Sequence, residues 1–317
     1  MVSTEFLSEK LKTWPVLAIG VLLIIYATRS FQIYQFKKKH NAGDAPVMYN
    51  SFKVATMIGF LLRTKREGKL VDAVHDMFQE IGDNFRLILF GVPITFTREP
   101  ENVKAILATQ FNDFVLGSRH AHFFPLLGDG IFTLDGAGWK HLRAILRPQF
   151  TRDQVAHVRA LEPHLQILAQ NIRQHKGNTI NIQDYFFKLT VDTATEFLFG
   201  ESVGTLKDDL GIEQNDFAGR KQFAESFNIA QLYLATRSWS QFMYFLFDSR
   251  DFRKHCKNVH IFAEYYVKKA LEKTPEELEK MSESSYVFLY ELAKETRNAK
   301  VFQDQLLNIL IAGRDTT

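Results

Sequence analysis

Residues that can carry protons follow directly behind an apolar run near the end of the sequence, in the stretch LLNILIAGRDTT. The run Leu306–Gly313 holds a single polar side chain, and Asp315 and Thr316 then supply a carboxyl group and a hydroxyl group. Because Ala312 has only a methyl group and Gly313 has no side chain, a small ligand could approach the backbone there. If a helix continues past Gly313, this arrangement would form a site for a small ligand beside an acid and an alcohol that supply protons.

Two local structures are compatible with this stretch. Glycine inside a helix costs about 1 kcal/mol relative to alanine, so Gly313 can end one helix while Asp315 or Thr316 caps the next. Alternatively the helix continues, and the Thr316 hydroxyl lies one turn from the carbonyl of Ala312, with which it can form a hydrogen bond. Only the second structure places the acid and the alcohol beside a groove without side chains.

A second candidate pair occurs in GWKHLRAILRPQF, Gly138–Phe150. Trp139 and Arg143 are four positions apart, so a helix would present both side chains on one face. A guanidinium can bind a carboxylate through two parallel hydrogen bonds, which suits an acidic ligand group. The alternative is a stacked surface pair, in which the arginine lies against the indole ring and binds no ligand.

Metal and phosphate sites receive little support from the sequence. His120 and His122 lie two positions apart, which does not place them on one helix face, and no further ligand follows at metal-binding spacing. The glycines from Gly128 to Gly138 match neither phosphate-loop pattern, so the Asp-Gly pairs among them indicate turns. We therefore expect neither a protein-held metal ion nor a nucleotide loop.

Other titratable residues are expected to be structural. His157 and His164 are seven positions apart and would share a helix face, where exposure to solvent is the simplest expectation. Cys256 lies among charged residues, which can lower the pKa of a thiol, but no base and orienting partner can be identified for it. We do not expect Cys256 to act as a nucleophile.

Composition places the chain among globular proteins and limits its partners. The 317 residues are 46% hydrophobic, and 39 basic against 36 acidic side chains give a net charge of +3. This near balance argues against nucleic-acid binding, which needs a strongly basic domain. The single cysteine excludes an internal disulfide and favours a reducing compartment. The 29 phenylalanines suggest a core or pocket built from bulky apolar contacts.

The N-terminal region predicts a membrane anchor. Trp14–Ala27 is uninterruptedly apolar, although it is shorter than the roughly 20 residues that a spanning helix needs. Apolar residues continue beyond Arg29, and Lys37–Lys39 follow, so the basic bias predicts a single pass with the body in the cytosol. We expect the endoplasmic reticulum membrane, with membrane lipid as a partner; a cleaved signal peptide and a buried core helix are the alternatives.

Residues 1–40 are thus predicted to be the anchor with its basic flank, and residues 41–317 the body. Asn41–Pro46 is rich in turn formers and predicts a linker. The apolar patch Val54–Leu62 is too short for a second span and is expected at a surface or in the core. Phe85–Thr97 predicts a two-stranded hairpin, because β-branched and aromatic residues flank a glycine and a proline.

The remainder of the body is predicted to be helical, which makes the fold mainly α with a small early β-sheet. Apolar spacing predicts a short helix in REPENVKAILATQF and further helices near residues 139–148, 152–175 and 183–199. IFTL, between two Asp-Gly pairs, is at most a short strand.

AGRDTT resembles the oxygen-binding stretch of the long central helix in cytochromes P-450, (Ala/Gly)-Gly-x-(Asp/Glu)-Thr-(Thr/Ser). GWKHLRAILRPQF resembles the family's W-x-x-x-R helix, and the anchor, linker, hairpin and PENVKAIL helix follow in the family's order. PENVKAILATQFNDF, HFFPLLGDGIFTLDGAGWKHLRAILRPQF and QVAHVRALEPH are similar to the yeast family 52 enzymes, which hydroxylate n-alkanes and fatty acids at the terminal carbon. The resemblance covers the chain from about residue 40 onward and implies the N-terminal part of the cytochrome P-450 fold.

The resemblance implies a haem-thiolate monooxygenase that uses O2, with haem b as cofactor and electrons from NADPH through an NADPH-cytochrome reductase. It implies a long-chain alkane or fatty acid as substrate. It assigns the site residues in three pairs: Trp139 and Arg143 to the haem propionates, Ala312 and Gly313 to the dioxygen site, and Asp315 and Thr316 to the proton relay. Asn112–Phe132 and Phe223–Phe252 correspond to the family's access-channel segments.

Two family motifs, E-x-x-R and the cysteine-bearing F-x-x-G-x-R-x-C-x-G, do not occur in the sequence. Cys256 precedes the central stretch and lacks these surroundings, so it does not correspond to the haem ligand. We expect the chain to be an N-terminal fragment whose ligating cysteine lies beyond Thr317, and we do not expect it to be active alone. The alternative is a non-catalytic, membrane-tethered binding or scaffold protein that retains the architecture.

Overall fold

The structure, a computed structural model, describes residues 3–49, 59–60, 63–64, 66–89, 92–150, 158–284 and 287–315. Contacts divide the chain into two compact units, Met1–Val103 and Lys104–Thr317. Most of the predicted patch Val54–Leu62 falls outside the described residues.

The first unit begins with a long helix, α1 (Ser3–His40), which includes the predicted anchor run and carries Lys37–Lys39 in its last turn. The predicted linker, residues 41–46, is a turn followed by irregular chain. Among the residues whose placement is described, no helix is both long enough and apolar enough to cross a membrane.

A small sheet follows, together with the amphipathic helix α2 (Leu70–Ile81). Strand β1 (Val47–Tyr49) pairs parallel with β2 (Asn84–Leu89), and β2 pairs antiparallel with β3 (Val92–Thr97). The predicted hairpin is therefore confirmed, with its two linking residues outside the described part of the chain.

Alternation along β2 explains how this sheet is stabilised. Phe85, Leu87 and Leu89 point to one face and are buried against Met77 of α2, as the two-residue period of a strand requires. The ring of Phe85 also stacks on Phe96 of β3, with ring centroids 5.1 Å apart.

The second unit is helical. Helix α3 (Pro100–Lys104) spans the boundary between the two units. The helices that follow it are α4 (Arg119–Leu127), α5 (Gly136–Leu146), α6 (Glu162–Gln174), α7 (Ile182–Phe199), α8 (Thr205–Asp209), α9 (Arg220–Trp239), α10 (Arg250–Leu271), α11 (Pro275–Ser284), α12 (Phe288–Glu295) and α13 (Ala299–Asp315). Short 3₁₀ segments lie between some of them, notably Arg147–Phe150 and Gln241–Phe247. The mainly helical class with a small early sheet agrees with the prediction.

Aromatic side chains from several helices form the centre of the second unit. Phe262 of α10 is fully buried, and its ring stacks on Phe223 of α9 with centroids 4.0 Å apart. The Phe199 ring of α7 contacts the Phe262 ring edge-on, with centroids 5.6 Å apart. The ring of Tyr266, one turn further along α10, lies 5.2 Å from Phe262. The many phenylalanines therefore serve to join helices in a common core.

Three local predictions need correction or refinement. IFTL is a turn and not a strand, because the Thr133 hydroxyl accepts from the amide of Gly130 at 2.7 Å and donates to the carbonyl of Gly128 at 2.8 Å. The PENVKAIL helix continues from α3 into one π-helical turn, Ala105–Thr109. Within the predicted helix 152–175, the described part is a 3₁₀ turn, Val158–Leu161, followed by α6.

Replacing the central ring should destabilise the second unit strongly. We expect Phe262→Ala to lower the free energy of unfolding by about 3 to 5 kcal/mol, because it leaves a cavity among three other aromatic rings. The adjacent Ile261 is 42% exposed, so Ile261→Ala serves as the control on the same helix. Equal shifts of the two variants in denaturant-induced unfolding would contradict this description of the core.

Candidate functional site

The stretch with the predicted proton carriers belongs to one helix. α13 continues without interruption through Gly313 to Asp315, so Gly313 does not end the helix. The chain is buried from Phe302 to Asn308, whereas Ala312 is half-buried and Gly313 is exposed. Thr316 lies outside the described residues. α13 therefore carries Ala312, Gly313 and Asp315 within its last turn, and the face formed by Ala312 and Gly313 is accessible.

Gly313 also marks a close approach of two helices. A β-carbon built at Gly313 would lie 3.7 Å from the β-carbon of Ala194 in α7, which is ordinary van der Waals contact. Small side chains at both positions let the α13 backbone lie near α7.

Three polar side chains in the buried part of α13 hold the turn that follows α4. The Asp304 carboxylate accepts from the amide of Asp129 at 2.9 Å. The Gln305 side-chain amide donates to the carbonyl of Asp129 at 2.9 Å. Asn308 donates to the carbonyl of Leu127 at 2.9 Å and accepts from the amide of Phe132 at 3.1 Å. We call this set of contacts the α13 latch.

Two glycines make the latch possible. A β-carbon at Gly128 would lie 2.2 Å from the Asp304 carboxylate, and one at Gly130 would lie 1.9 Å from the Asn308 side-chain nitrogen. Both distances are shorter than any non-bonded contact allows, so only glycine lets the turn lie this close to α13. Gly128 also has a φ of 59°, in the left-handed region that glycine adopts without strain.

Asp304 is the electrostatic centre of the latch. Its side chain is 1% exposed and forms an ion pair with Lys300 at 2.6 Å, one turn earlier in the helix. Burial raises the pKa of this carboxyl above its usual value, while the hydrogen bonds from Lys300 and the Asp129 amide act in the opposite direction. The two donors together stabilise the carboxylate in an environment that would otherwise favour its protonated form.

Trp139 and Arg143 lie side by side on α5, as their spacing predicts. The guanidinium carbon of Arg143 is 5.1 Å from the centroid of the Trp139 indole, and the Phe111 ring is 5.1 Å from the indole on another side. Arg143 is exposed, and none of the ion pairs among the described residues involves it. The stacked guanidinium thus keeps donors available to an acidic group.

The two predicted channel segments are joined by a buried arginine. Arg237 of α9 is 1% exposed and donates to the carbonyls of His122 at 2.8 Å and Ala121 at 3.1 Å. In return, the His122 ring donates from Nε2 to the carbonyl of Gln241 at 3.1 Å. Burial lowers the pKa of His122, and the nearby Arg237 charge adds to this effect. His122 is therefore a structural hydrogen-bond donor.

The prediction that His164 is exposed to solvent is wrong. It is 4% exposed rather than solvated, and its Nε2 lies 2.5 Å from the carboxylate of Glu196 in α7. This hydrogen bond lowers the pKa of Glu196, so the contact joins α6 to α7. His157, which was expected to share its face, lies outside the described residues.

Cys256 has the properties of an unreactive core thiol. Its side chain is 3% exposed, and burial raises its pKa to about 12 despite the nearby positive charges of Arg253 and Arg237. Because the thiolate is the nucleophilic form, Cys256 carries no nucleophilic chemistry near neutral pH. In the described part of the chain, no group of three or more His, Cys, Asp or Glu side chains could hold a metal ion.

Sequence reasoning missed the α13 latch. The signals were the polar residues Asp304, Gln305 and Asn308, which interrupt an apolar helix at one-turn spacing, and the Asp-Gly pairs that were assigned to turns alone. Their partners lie 175 to 181 positions earlier in the sequence, so spacing within either segment could not reveal the contacts.

A model of the cytochrome P450 family matches residues 50–317. The chain is 56% identical to cytochrome P450 52A13 of Debaryomyces hansenii over 312 residues, which is 97% of this chain and 60% of that protein. It is 52% identical to cytochrome P450 52A12 of the same yeast over 309 residues, covering 96% of this chain and 60% of that relative.

Cytochrome P450 52A3-B of Candida maltosa gives 49% identity over 316 residues, or 97% of this chain and 60% of the relative. The chain therefore spans about 60% of the length of these curated relatives.

Because of the α13 latch, we expect position 130 to tolerate no residue other than glycine. We expect Gly130→Ala to lower the free energy of unfolding by about 1 to 3 kcal/mol, because the new methyl group overlaps a buried amide. Gly43→Ala is the matched control, since a β-carbon there meets no atom within 4 Å. Thermal and denaturant unfolding measure both variants, and a Gly130→Ala protein as stable as the control would disprove the close approach.

Proposed function

This chain belongs to the cytochrome P450 family, and from this we propose that the complete protein is a haem-thiolate monooxygenase. It inserts one atom of O2 into a long-chain n-alkane or fatty acid, at the terminal carbon. The observation that carries the proposal is the continuous helix through AGRD, whose small residues are accessible, in a chain 56% identical to a family 52 relative. No observation on the described residues favours the non-catalytic alternative.

The residues present fit a haem group. Its propionates need cationic or N–H donors, and the exposed guanidinium of Arg143, stacked on Trp139, offers a donor fork for a carboxylate. Ala312 and Gly313 provide an accessible helix face without bulky side chains, against which a flat ligand can lie. When bound, haem b supplies the iron that activates O2, and the ligating cysteine is proposed to belong to sequence beyond Thr317.

Asp315 and Thr316 are proposed to deliver protons at the dioxygen site. The Thr316 hydroxyl holds a donor at the oxygen atom that must be protonated, and Asp315 resupplies it from solvent. This role is supported by the position of Asp315 in the same helix, two residues after Gly313, and by Thr316 following it in the sequence.

The substrate class and the cellular setting are also proposals. The access segments Asn112–Phe132 and Phe223–Phe252 are rich in aromatic side chains, which suit a long alkyl chain. The apolar run Trp14–Ala27, followed by Lys37–Lys39, supports a single membrane pass in the endoplasmic reticulum with the body in the cytosol. There an NADPH-cytochrome reductase would supply electrons.

The proposal is tested by Thr316→Ala in the protein expressed from the complete reading frame, with a reductase and either an alkane or a fatty acid. We expect substrate binding and NADPH consumption to stay near those of the unchanged protein, because the hydroxyl acts in a later step. The share of reducing equivalents in terminal alcohol should fall, and the share in hydrogen peroxide should rise.

NADPH, peroxide and hydroxylated product are measured side by side. The control is Thr193→Ala, which removes another helical hydroxyl, one that bonds to the carbonyl of Leu189 at 2.9 Å. Unchanged coupling in Thr316→Ala would refute the proton relay. Absence of any oxygen-dependent product from the unchanged protein would refute the monooxygenase function itself.

A further inference from the structure

The side chain of Arg314 is buried, although the neighbouring Gly313 is exposed. Arg314 lies between Gly313 and Asp315 and is only 6% exposed. Burying a guanidinium is costly unless its N–H groups are hydrogen-bonded. The contacts of Arg314 therefore determine how the last turn of α13 is held.

Two amide side chains of α9 accept hydrogen bonds from the guanidinium. Arg314 donates from Nη1 to the side-chain oxygen of Gln231 at 2.5 Å, and from Nη2 to the side-chain oxygen of Asn228. Asn228 and Gln231 are three positions apart, so their side chains lie on one face of α9. We call these contacts the Arg314 clamp.

Aromatic rings complete the surroundings of the clamp. The guanidinium carbon lies 5.4 Å from the ring centroid of Phe187 in α7 and 5.8 Å from that of Phe227 in α9. Three helices thus meet at one planar cation. The guanidinium fork fits two acceptors at once, which the ammonium of a lysine cannot reproduce.

The clamp fixes the rotation of α13 about its own axis. Successive residues of a helix are rotated by a fixed angle, so holding Arg314 toward α9 determines the direction of each neighbouring position. We propose that Arg314 is a positioning residue, and that its clamp on Asn228 and Gln231 orients the last turn of α13, which carries Asp315, toward the dioxygen site. This inference rests on the proposed monooxygenase function.

The test uses variants that weaken the clamp from either helix. Arg314→Lys keeps the positive charge but loses the fork, and Gln231→Ala removes one acceptor while leaving α13 unchanged. Gln222→Ala is the matched control, because Gln222 is an exposed amide on the same helix. All are prepared as the protein from the complete reading frame, and circular dichroism verifies that each variant folds.

Hydrogen exchange of the backbone amides in the last turn of α13 reports on the clamp without any turnover. We expect Arg314→Lys and Gln231→Ala each to accelerate exchange there on the order of tenfold, the effect of losing a hydrogen bond to a charged group. The double variant should add little to either single change, because both remove the same interaction. Gln222→Ala should exchange like the unchanged protein.

Turnover then shows whether the clamp positions the proton carriers. In both clamp variants, the ratio of hydroxylated product to peroxide should fall severalfold, while the KM for the alkyl substrate stays unchanged. A rise in KM with unchanged coupling would mean that Arg314 shapes the channel, and would overturn the proposal. Unchanged exchange rates would overturn the clamp.

A failure of the proposed function is separable from these results. If the unchanged protein forms no oxygen-dependent product, the monooxygenase function is wrong, and the positioning role falls with it. If the unchanged protein is active and coupled, and the clamp variants show faster exchange but normal coupling, only the positioning role of Arg314 is wrong.

Discussion

The fold of the second unit is constrained by three buried polar side chains that require hydrogen-bond partners. Asp304, Gln305 and Asn308 lie in the middle of α13, where leaving any of these groups without a partner costs about 1 to 3 kcal/mol. The backbone of the turn after α4 donates to the Asp304 carboxylate, accepts from the Gln305 side-chain N–H and pairs with the Asn308 side chain, and the two glycines of that turn allow the close approach. A buried helix of the core therefore determines the path of a segment predicted to border the substrate channel.

The other end of α13 is held by a different set of contacts. Near residue 304 the polar side chains of α13 reach out to a turn, whereas at residue 314 a single arginine reaches into α9 and contacts rings from α7 and α9. Between these two anchors, Leu306, Leu307 and Leu310 are fully buried in the apolar core. Close to the second anchor Gly313 is exposed and Ala312 is half-buried, so the helix keeps an accessible Ala312–Gly313 face between two parts that are held by hydrogen bonds.

Local patterns predicted the elements whose structure depends on neighbouring residues. The Phe85–Thr97 hairpin, the helix Ile182–Phe199 and the pairing of Trp139 with Arg143 follow from two-residue and one-turn spacing, and each is found. For IFTL the sequence predicted at most a short strand, and local spacing could not show that it forms a turn, because Thr133 and the latch determine it together and the latch residues come from a distant part of the chain. His164 was expected to be exposed, because sequence cannot show that Glu196 lies opposite it.

The most direct test of the latch is native-state hydrogen exchange at the Phe132 amide, which donates to Asn308. We expect this amide to be protected nearly as well as the buried turns of α13. In Asn308→Ala its exchange should accelerate at least about tenfold, because the acceptor is lost. A Phe132 amide that exchanges in the unchanged protein at the rate of an exposed loop would contradict the account.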